Sequence, residues 1–225
     1  MSATSHDADF TVYAIPGSPY ARAALATLEE KGAGYRIAAV APAELKSDEH
    51  RRRHPFGRVP VLEHNGFRVY ETQAILRYLD RVLPEPPLTP AAVQGSARMD
   101  QMMNVNDCYL FQGVANVIAF QRVVGPRLFG LTPDETAIAA AMPKAAAVFA
   151  ELASALGTQH YMAGDALSLA DLLIAPQLDF MILTPEWEQL VGPYPALRIW
   201  MARMQDRASL KATTWEEVAR KAQVH

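Results

Sequence analysis

The most constraining feature of this sequence is the segment 84–90, which packs four prolines into seven residues. Proline lacks a backbone N–H and clashes with the preceding helical turn, so neither a helix nor the interior of a sheet passes through such a segment. The hydrophobic pattern also changes there, from short alternating elements to long helical spacing. We therefore interpret residues 84–90 as a linker between two domains.

The first domain, residues 10–83, alternates short β-prone runs with helical patterns. The pattern predicts strands at 10–15, 35–41, 59–63 and 67–70, and helices at 22–31 and 74–83. The last two strands flank Asn65-Gly66, a strong hairpin signal. A βαβ unit followed by a hairpin and a helix is typical of a small mixed sheet covered by helices, so this domain is predicted to be α/β.

The second domain, residues 91–225, has no convincing strand. Helical spacing recurs over 91–120, 133–156, 168–183 and 195–207, which predicts an all-helical bundle. Pro143 is expected to kink or break the second of these helices. Ser168 and Asp171 have the spacing of a capping box at the start of the third. The small, polar residues 1–9 are expected to form a disordered tail.

Composition excludes several classes of function. The 225 residues carry a formal net charge of −3, which gives no electrostatic basis for a nucleic-acid partner or an anionic membrane. The sequence has no uninterrupted run of about 18 apolar residues, so no membrane span is predicted. The single cysteine, Cys108, cannot form an intramolecular disulfide, which fits a cytoplasmic protein. The histidines show no metal-ligand spacing, so no metal is predicted.

Ser18 lies where the first predicted strand meets the first predicted helix, in Pro16-Gly17-Ser18-Pro19. The unpaired N–H groups and the dipole at a helix N-terminus favour an anion, so Ser18 is a candidate residue for binding an anionic group. A serine at this position can equally be only the cap of the helix. The residues alone leave both interpretations open.

Two further strand boundaries carry candidate binding groups. Val59-Pro60 is a candidate cis bond that would aim the backbone of Val59 towards an extended peptide ligand, although a trans bond is the commoner alternative. Thr72 is a candidate helix cap, but its hydroxyl and the free N–H groups of a helix start also suit a carboxylate. Glu71 beside it suits an ammonium. Together they would recognise an α-amino acid.

These pieces, in this order, resemble the cytosolic glutathione transferases over residues 10–207. The stretch 44–62 looks most like the plant-type phi class and its bacterial relatives. The resemblance implies a thioredoxin-like N-terminal domain that binds glutathione as co-substrate and an all-helical C-terminal domain that lines a pocket for small hydrophobic electrophiles. It also implies a homodimer and a role in detoxification.

The resemblance assigns individual roles by position. Ser18 matches the hydroxyl that contacts the glutathione sulfur in serine-type members, with Tyr13 and Tyr20 as alternatives because other classes use tyrosine. The remaining implied contacts are Val59 and Pro60 for the cysteinyl backbone, Glu71 and Thr72 for the γ-glutamyl group, and Lys46 and Arg58 for the glycine carboxylate. Threonine at 72 keeps the hydroxyl of the usual serine, whereas Leu45 departs from a histidine often found there in the phi class.

The electrophile pocket is the least determined part of the site. Its candidates lie on the first helix of the second domain, and for each of them a place in the bundle core is the alternative: Met99, Met102, Met103, Tyr109 and Phe111. The same glutathione site would also serve isomerisation, dehalogenation or peroxide reduction. A non-catalytic ligand-binding protein of this fold is a further alternative.

Overall fold

The computed structural model describes residues 10–223 and divides into two compact units. The first unit runs to Pro86 and includes the C-terminal segment from Arg207, and the second spans Pro87–Asp206. The boundary at 86/87 falls inside the predicted linker, which contains neither helix nor strand. The predicted tail at residues 1–9 lies outside the described residues.

The first unit is built on a mixed sheet, as predicted. Within residues 10–223 its strands are β1 (Phe10–Ala14), β2 (Tyr35–Ala39), β3 (Val61–His64) and β4 (Phe67–Tyr70), in the spatial order β2-β1-β3-β4. β1 is parallel to β2 and antiparallel to β3, and β3 is antiparallel to β4. Val12 pairs with Ile37 and Leu62, and all three side chains are buried on one face. Asn65 and Gly66 both adopt positive φ angles in the predicted hairpin turn.

Helices cover this sheet. They are α1 (Pro19–Glu30), a 3₁₀ helix (Pro42–Lys46), α2 (Asp48–Arg53) and α3 (Thr72–Val82). α3 buries Ile75, Leu76 and Leu79 at helical spacing but leaves Val82 exposed, and it packs against α1. α2 ends with the basic run of residues 51–53. Its start is marked by Ser47, whose hydroxyl accepts a hydrogen bond from His50 N at 3.1 Å.

The C-terminal segment differs from the prediction, which placed all of residues 91–225 in the helical domain. α10 (Ala208–Lys211) packs against α1, and α11 (Trp215–Ala222) packs against β2. β2 is an edge strand of the sheet, and α11 buries Val218. The last residues of the chain therefore belong to the sheet-containing unit because their polar and apolar partners lie there.

The second unit is all-helical, as predicted. Its helices are α4 (Val93–Val105), two π-helical segments (Asn106–Ala115 and Phe120–Val124), α5 (Gly125–Phe129), α6 (Glu135–Leu156), α7 (Leu169–Ile182), α8 (Glu186–Val191) and α9 (Pro195–Asp206). The single helix predicted over 91–120 was wrong. The chain leaves helical geometry at Gln112 (ψ 106°) and Gly113 (φ 82°), and glycine tolerates that positive φ.

Pro143 was expected to kink or break its helix. The break does not occur, because α6 runs through this position without interruption. α6 has 22 residues, and by length and composition alone it is apolar enough to cross a membrane, with a mean hydropathy of 1.3 over the best window, of which 33% is buried. Its buried positions, among them Ile138, Ala145, Val148 and Leu152, recur at helical spacing. Such a stripe is typical of a helix that packs on one side against the core of its own domain.

The predicted capping box at the start of α7 is confirmed and is part of a larger buried network. Asp171 accepts hydrogen bonds from Ser168 N (2.9 Å) and Ser168 Oγ (2.6 Å). It also accepts one from Met162 N and one from Trp200 Nε1, each at 2.8 Å. Burial raises the pKa of the Asp171 carboxyl, whereas these four donors favour the carboxylate. The network joins α7 to α9 and to the preceding loop.

Candidate functional site

Ser18 is the residue immediately before α1, and its cap role is confirmed. Its hydroxyl accepts a hydrogen bond from Ala21 N at 3.2 Å, and its own N–H donates to Ile15 O at 3.0 Å in a tight turn. A hydroxyl that accepts one hydrogen bond still has its proton to donate. The side chain is half-buried at the positive end of a 12-residue helix. Capping and anion stabilisation are therefore compatible in the same residue.

Tyr13 and Tyr20, the alternatives to Ser18, lie on either side of it. Tyr13 is in β1, and the Arg53 guanidinium stacks over its ring at 4.7 Å from the centroid. Tyr20 is the second residue of α1 and is half-buried. Ser18 alone of the three combines a hydroxyl with the cap position of the helix.

Val59 and Pro60 are joined by a cis peptide bond, as predicted. Val59 lies outside the strand ladder, since β3 begins at Val61. The loop before it is anchored by His50, whose buried ring Nε2 lies 2.8 Å from Arg58 O. We did not predict a role for His50 from the sequence. It is the buried residue of α2, whose sequence is DEHRRR, and amphipathic spacing can reveal such a position.

Lys46 and Arg58 are carried by two segments that touch. A Cβ on Gly57 would lie 2.6 Å from Leu45 O, so the residues preceding Lys46 and Arg58 approach one another at van der Waals distance. Both side chains are exposed, and neither has a hydrogen bond or ion pair within residues 10–223. Two unpaired cations on neighbouring segments suit an anionic ligand group.

Glu71 and Thr72 lie at the start of α3, which begins one position earlier than expected. Thr72 was predicted as the helix cap, but it is the first residue of α3, and Glu71 is the residue before the helix. Glu71 adopts φ 69° and ψ 116°, a left-handed conformation that costs a non-glycine residue about 1–3 kcal/mol. Its exposed carboxylate caps nothing and has no hydrogen-bond partner among the described residues. Thr72 is buried beside the free N–H groups of the first helical turn.

The side chain of His54 lies next to the end of β4, close to Glu71. Its ring is buried and lies 4.7 Å from the ring of Tyr70, between centroids. Burial lowers the pKa of His54, and the nearby Glu71 carboxylate opposes that change. The Glu71 carboxylate has no hydrogen-bond partner within residues 10–223, so it is available to a cation.

The register of the sheet brings these groups to one end. Val61 pairs with Tyr13 on one side and with Tyr70 on the other. β1 ends just before Ser18, β3 begins just after Val59-Pro60, and β4 ends just before Glu71. Because these three strand ends meet at one end of the sheet, the Ser18 hydroxyl, the backbone of Val59 and the Glu71 carboxylate lie in one row there.

The candidates for the electrophile pocket separate by burial. Met99, Met102 and Met103 are fully buried, which fits the alternative that they belong to the core. Tyr109 is 55% exposed and Phe111 is half-buried, so they retain surface that a ligand can contact. No cluster of three or more metal-ligating side chains occurs within residues 10–223.

The fold and the site together define a protein with a thioredoxin-like unit that carries a small-molecule site at the strand ends, followed by an all-helical unit. Residues 8–81 match the family described as "Glutathione S-transferase, N-terminal domain", and residues 112–208 match "Glutathione S-transferase, C-terminal domain". The chain belongs to the glutathione S-transferase family.

Individual relatives agree with this assignment. Glutathione S-transferase 1 of Zea mays is 31% identical over 82% of this chain and 86% of its own length. Glutathione transferase F7 from Populus trichocarpa has a TM-score of 0.82 at 25% identity and covers 95% of this chain and 99% of its own. The structure of glutathione S-transferase-I bound with the ligand lactoylglutathione has a TM-score of 0.79 at 28% identity, over 96% and 99% of the two chains. The predicted enzyme class and the resemblance to plant-type members are confirmed.

Proposed function

We propose that this enzyme transfers the thiolate of glutathione to small hydrophobic electrophiles, with Ser18 as the residue that stabilises the thiolate. The observation that carries this proposal is the row of Ser18, Val59 and Glu71 at one end of the sheet. A tripeptide laid along that row has its thiol at a helix N-terminus and its ammonium at a carboxylate.

The rest of the tripeptide finds matching groups. The backbone of Val59, before Pro60, pairs with the cysteinyl residue as an added strand would. Thr72 and the first turn of α3 hold the γ-glutamyl carboxylate, and Glu71 holds the ammonium. Lys46 and Arg58 bind the glycine carboxylate. Tyr109 and Phe111 contact the electrophile, whereas Met103 contributes as core support.

Ionisation of the thiol explains only part of the catalysis. A thiol with an ordinary pKa of about 8.5 is about 3% thiolate at pH 7, and a fall of about two pH units makes roughly three quarters of it thiolate. Because nucleophilicity falls with the pKa, about 6- to 10-fold of this roughly 25-fold gain is lost again. Holding the electrophile beside the sulfur must supply most of any larger acceleration.

A turnover panel with excess glutathione tests the reaction type. Conjugation consumes the thiol and forms a thioether, isomerisation consumes none, dehalogenation releases halide, and peroxide reduction yields oxidised glutathione. We expect thioether formation with small apolar electrophiles. Absence of glutathione binding at millimolar concentration in calorimetry would instead leave a non-catalytic ligand-binding protein of this fold.

Replacing Glu71 with glutamine is expected to weaken glutathione binding by roughly 10-fold, because the ammonium loses a charge-assisted partner worth about 1.5 kcal/mol or more. The change keeps the size of the side chain, so the left-handed backbone at this position is not altered. Calorimetric titration with glutathione measures the effect. The matched control is Glu63→Gln, a half-buried carboxylate of the same unit paired with Arg68 at 2.9 Å, and it should leave the affinity unchanged. Equal affinities in the two variants would remove Glu71 from the site.

We further propose a cytoplasmic homodimer with a role in detoxification and no bound metal. The net charge of −3 and the one-sided burial of α6 support a protein that works in solution. Sedimentation velocity of the purified protein tests the dimer: a single species of about 25 kDa at micromolar concentration would contradict it.

A further inference from the structure

The indole of Trp215 lies against the loop that carries Ser18. A Cβ built on Gly17 would be 2.6 Å from Trp215 Cε3 and Cζ3 and 2.7 Å from Cδ2. Three adjacent ring atoms at nearly equal distance mean that the face of the ring, rather than its edge, covers Gly17. Gly17 also has φ 88°, so both its conformation and its surroundings require glycine.

α11, which carries Trp215, is capped at its start and attached to the rest of the same unit near its end. The Thr214 hydroxyl caps it by accepting a hydrogen bond from Glu217 N at 3.3 Å. Near its end, the Lys221 ammonium donates to Glu29 Oε1 and to the Tyr35 hydroxyl, each at 2.7 Å. The Tyr35 hydroxyl also donates to Glu29. The position of the indole is therefore set by a hydrogen-bonded helix rather than by a free tail.

α10, which precedes α11, is held on α1 by a second set of contacts. Arg207 donates two hydrogen bonds of 2.7 Å to the carboxylate of Glu30, and Ser209 donates another at 2.5 Å. Burial alone would raise the pKa of Glu30, but the hydrogen bonds from Arg207 and Ser209 outweigh it, and the pKa is lowered. Arg22, in the first turns of α1, donates to Leu210 O at 3.0 Å. Residues 207–222 thus contact α1 at several points along the length of that helix.

We propose that Trp215 is a positioning residue for Ser18. The Ser18 N–H donates a hydrogen bond to Ile15 O and so holds the turn 15–18 together. The indole of Trp215 packs over Gly17 and restricts its movement. With the turn restrained by these two contacts, the Ser18 hydroxyl keeps the direction in which it meets the glutathione sulfur. This inference rests on the proposed role of Ser18 and adds to it the element that aims the hydroxyl.

The first test compares Trp215→Leu with Trp215→Phe. Leucine keeps apolar volume but removes the flat ring, and we expect kcat to fall roughly 10-fold because a displacement of about 1 Å near the reacting atom costs up to about 100-fold. The KM for glutathione should change less than about two-fold, since the groups that hold the tripeptide are untouched. The pKa of the bound thiol, read from thiolate absorbance near 240 nm, should rise. Phenylalanine keeps a flat face and should restore most of both properties.

The matched control is Val218→Ala, which removes buried packing from the same helix without touching Gly17. It should leave the thiol pKa at the native value. A native thiol pKa and native kcat in Trp215→Leu, or an equal change in Val218→Ala, would overturn the proposal. Ser18→Ala tests the proposed function separately. Trp215 can act through Ser18 only if the pKa of the bound thiol depends on Ser18.

A double-mutant cycle keeps the proposal testable even if a tryptophan variant is poorly folded by itself. Gly17→Ala places a methyl group against the indole and should abolish most activity in the native background. In Trp215→Leu the flexible side chain can yield, so Gly17→Ala should cost several-fold less there. Only the strain of the positive φ remains in that background. Additive losses would show that the indole does not restrain Gly17.

Discussion

Ser18→Ala is expected to raise the pKa of enzyme-bound glutathione by about two pH units and to lower turnover at pH 7 by roughly 10-fold or more. The thiolate then loses a charge-assisted hydrogen bond worth about 1.5–3 kcal/mol, which corresponds to one to two pH units. The thiolate fraction at pH 7 falls from about three quarters to about 3%. The freed thiolate is more nucleophilic, so the ionisation effect alone is several-fold, and loss of the aimed hydroxyl supplies the rest.

The pH profile distinguishes this mechanism from simple damage. Because the thiol must ionise, turnover of the native enzyme should reach its plateau about two pH units below the plateau of Ser18→Ala, so the part of the loss that is due to ionisation should disappear at high pH. Affinity for glutathione should be nearly unchanged. An unaltered profile in Ser18→Ala would transfer the role to Tyr13 or Tyr20.

Loss of a helix cap is a separate consequence that needs its own control. Ser18→Ala also removes the acceptor for Ala21 N, at a cost of about 1 kcal/mol in stability. Asp134→Ala removes a comparable cap, which accepts from Ala137 N at 3.0 Å at the start of α6. This control should lose similar stability and keep its thiol pKa, which separates capping from chemistry.

Asp171→Ala is expected to cost about 3–5 kcal/mol of unfolding free energy, the largest effect on stability that we predict. The substitution leaves two backbone N–H groups, the Ser168 hydroxyl and the Trp200 indole N–H buried without their acceptor. For a chain of this size the midpoint of thermal unfolding should fall by about 10 °C or more. Differential scanning calorimetry measures it.

The control for this prediction lies six residues earlier. Asp165 is exposed, and its contacts with His160 N and His160 Nδ1 are both long, at 3.4 Å, so Asp165→Ala should change stability by no more than about 0.5 kcal/mol. Comparable losses in the two variants would mean that the buried network contributes little to the helical unit.

Features that depend on local pattern were predictable from the sequence. The hairpin at Asn65-Gly66, the cap at Ser18 and the box at Ser168 each need only a few neighbouring residues, and the structure confirms them. The proline-rich segment likewise located the boundary between the units, because the properties of proline act locally.

Features that depend on tertiary contacts were not predictable. The break at Gln112 and Gly113 has no proline, and α6 contains one yet stays helical, so packing decided both. Glu71, and not Thr72, precedes α3, because the chain turns at Glu71, which has a positive φ, between the end of β4 and the first residue of that helix. The return of residues 207–222 to the first unit depends on partners nearly 200 positions away, although Thr214 and Glu217 already had the spacing of a capping box.

A crystal structure with bound glutathione is the sharpest test of this mechanism. We expect the sulfur within about 3.5 Å of Ser18 Oγ, with the γ-glutamyl ammonium at Glu71 and the cysteinyl backbone at Val59. A tripeptide bound in another place, or in this row with its sulfur beyond hydrogen-bond reach of that hydroxyl, would contradict it.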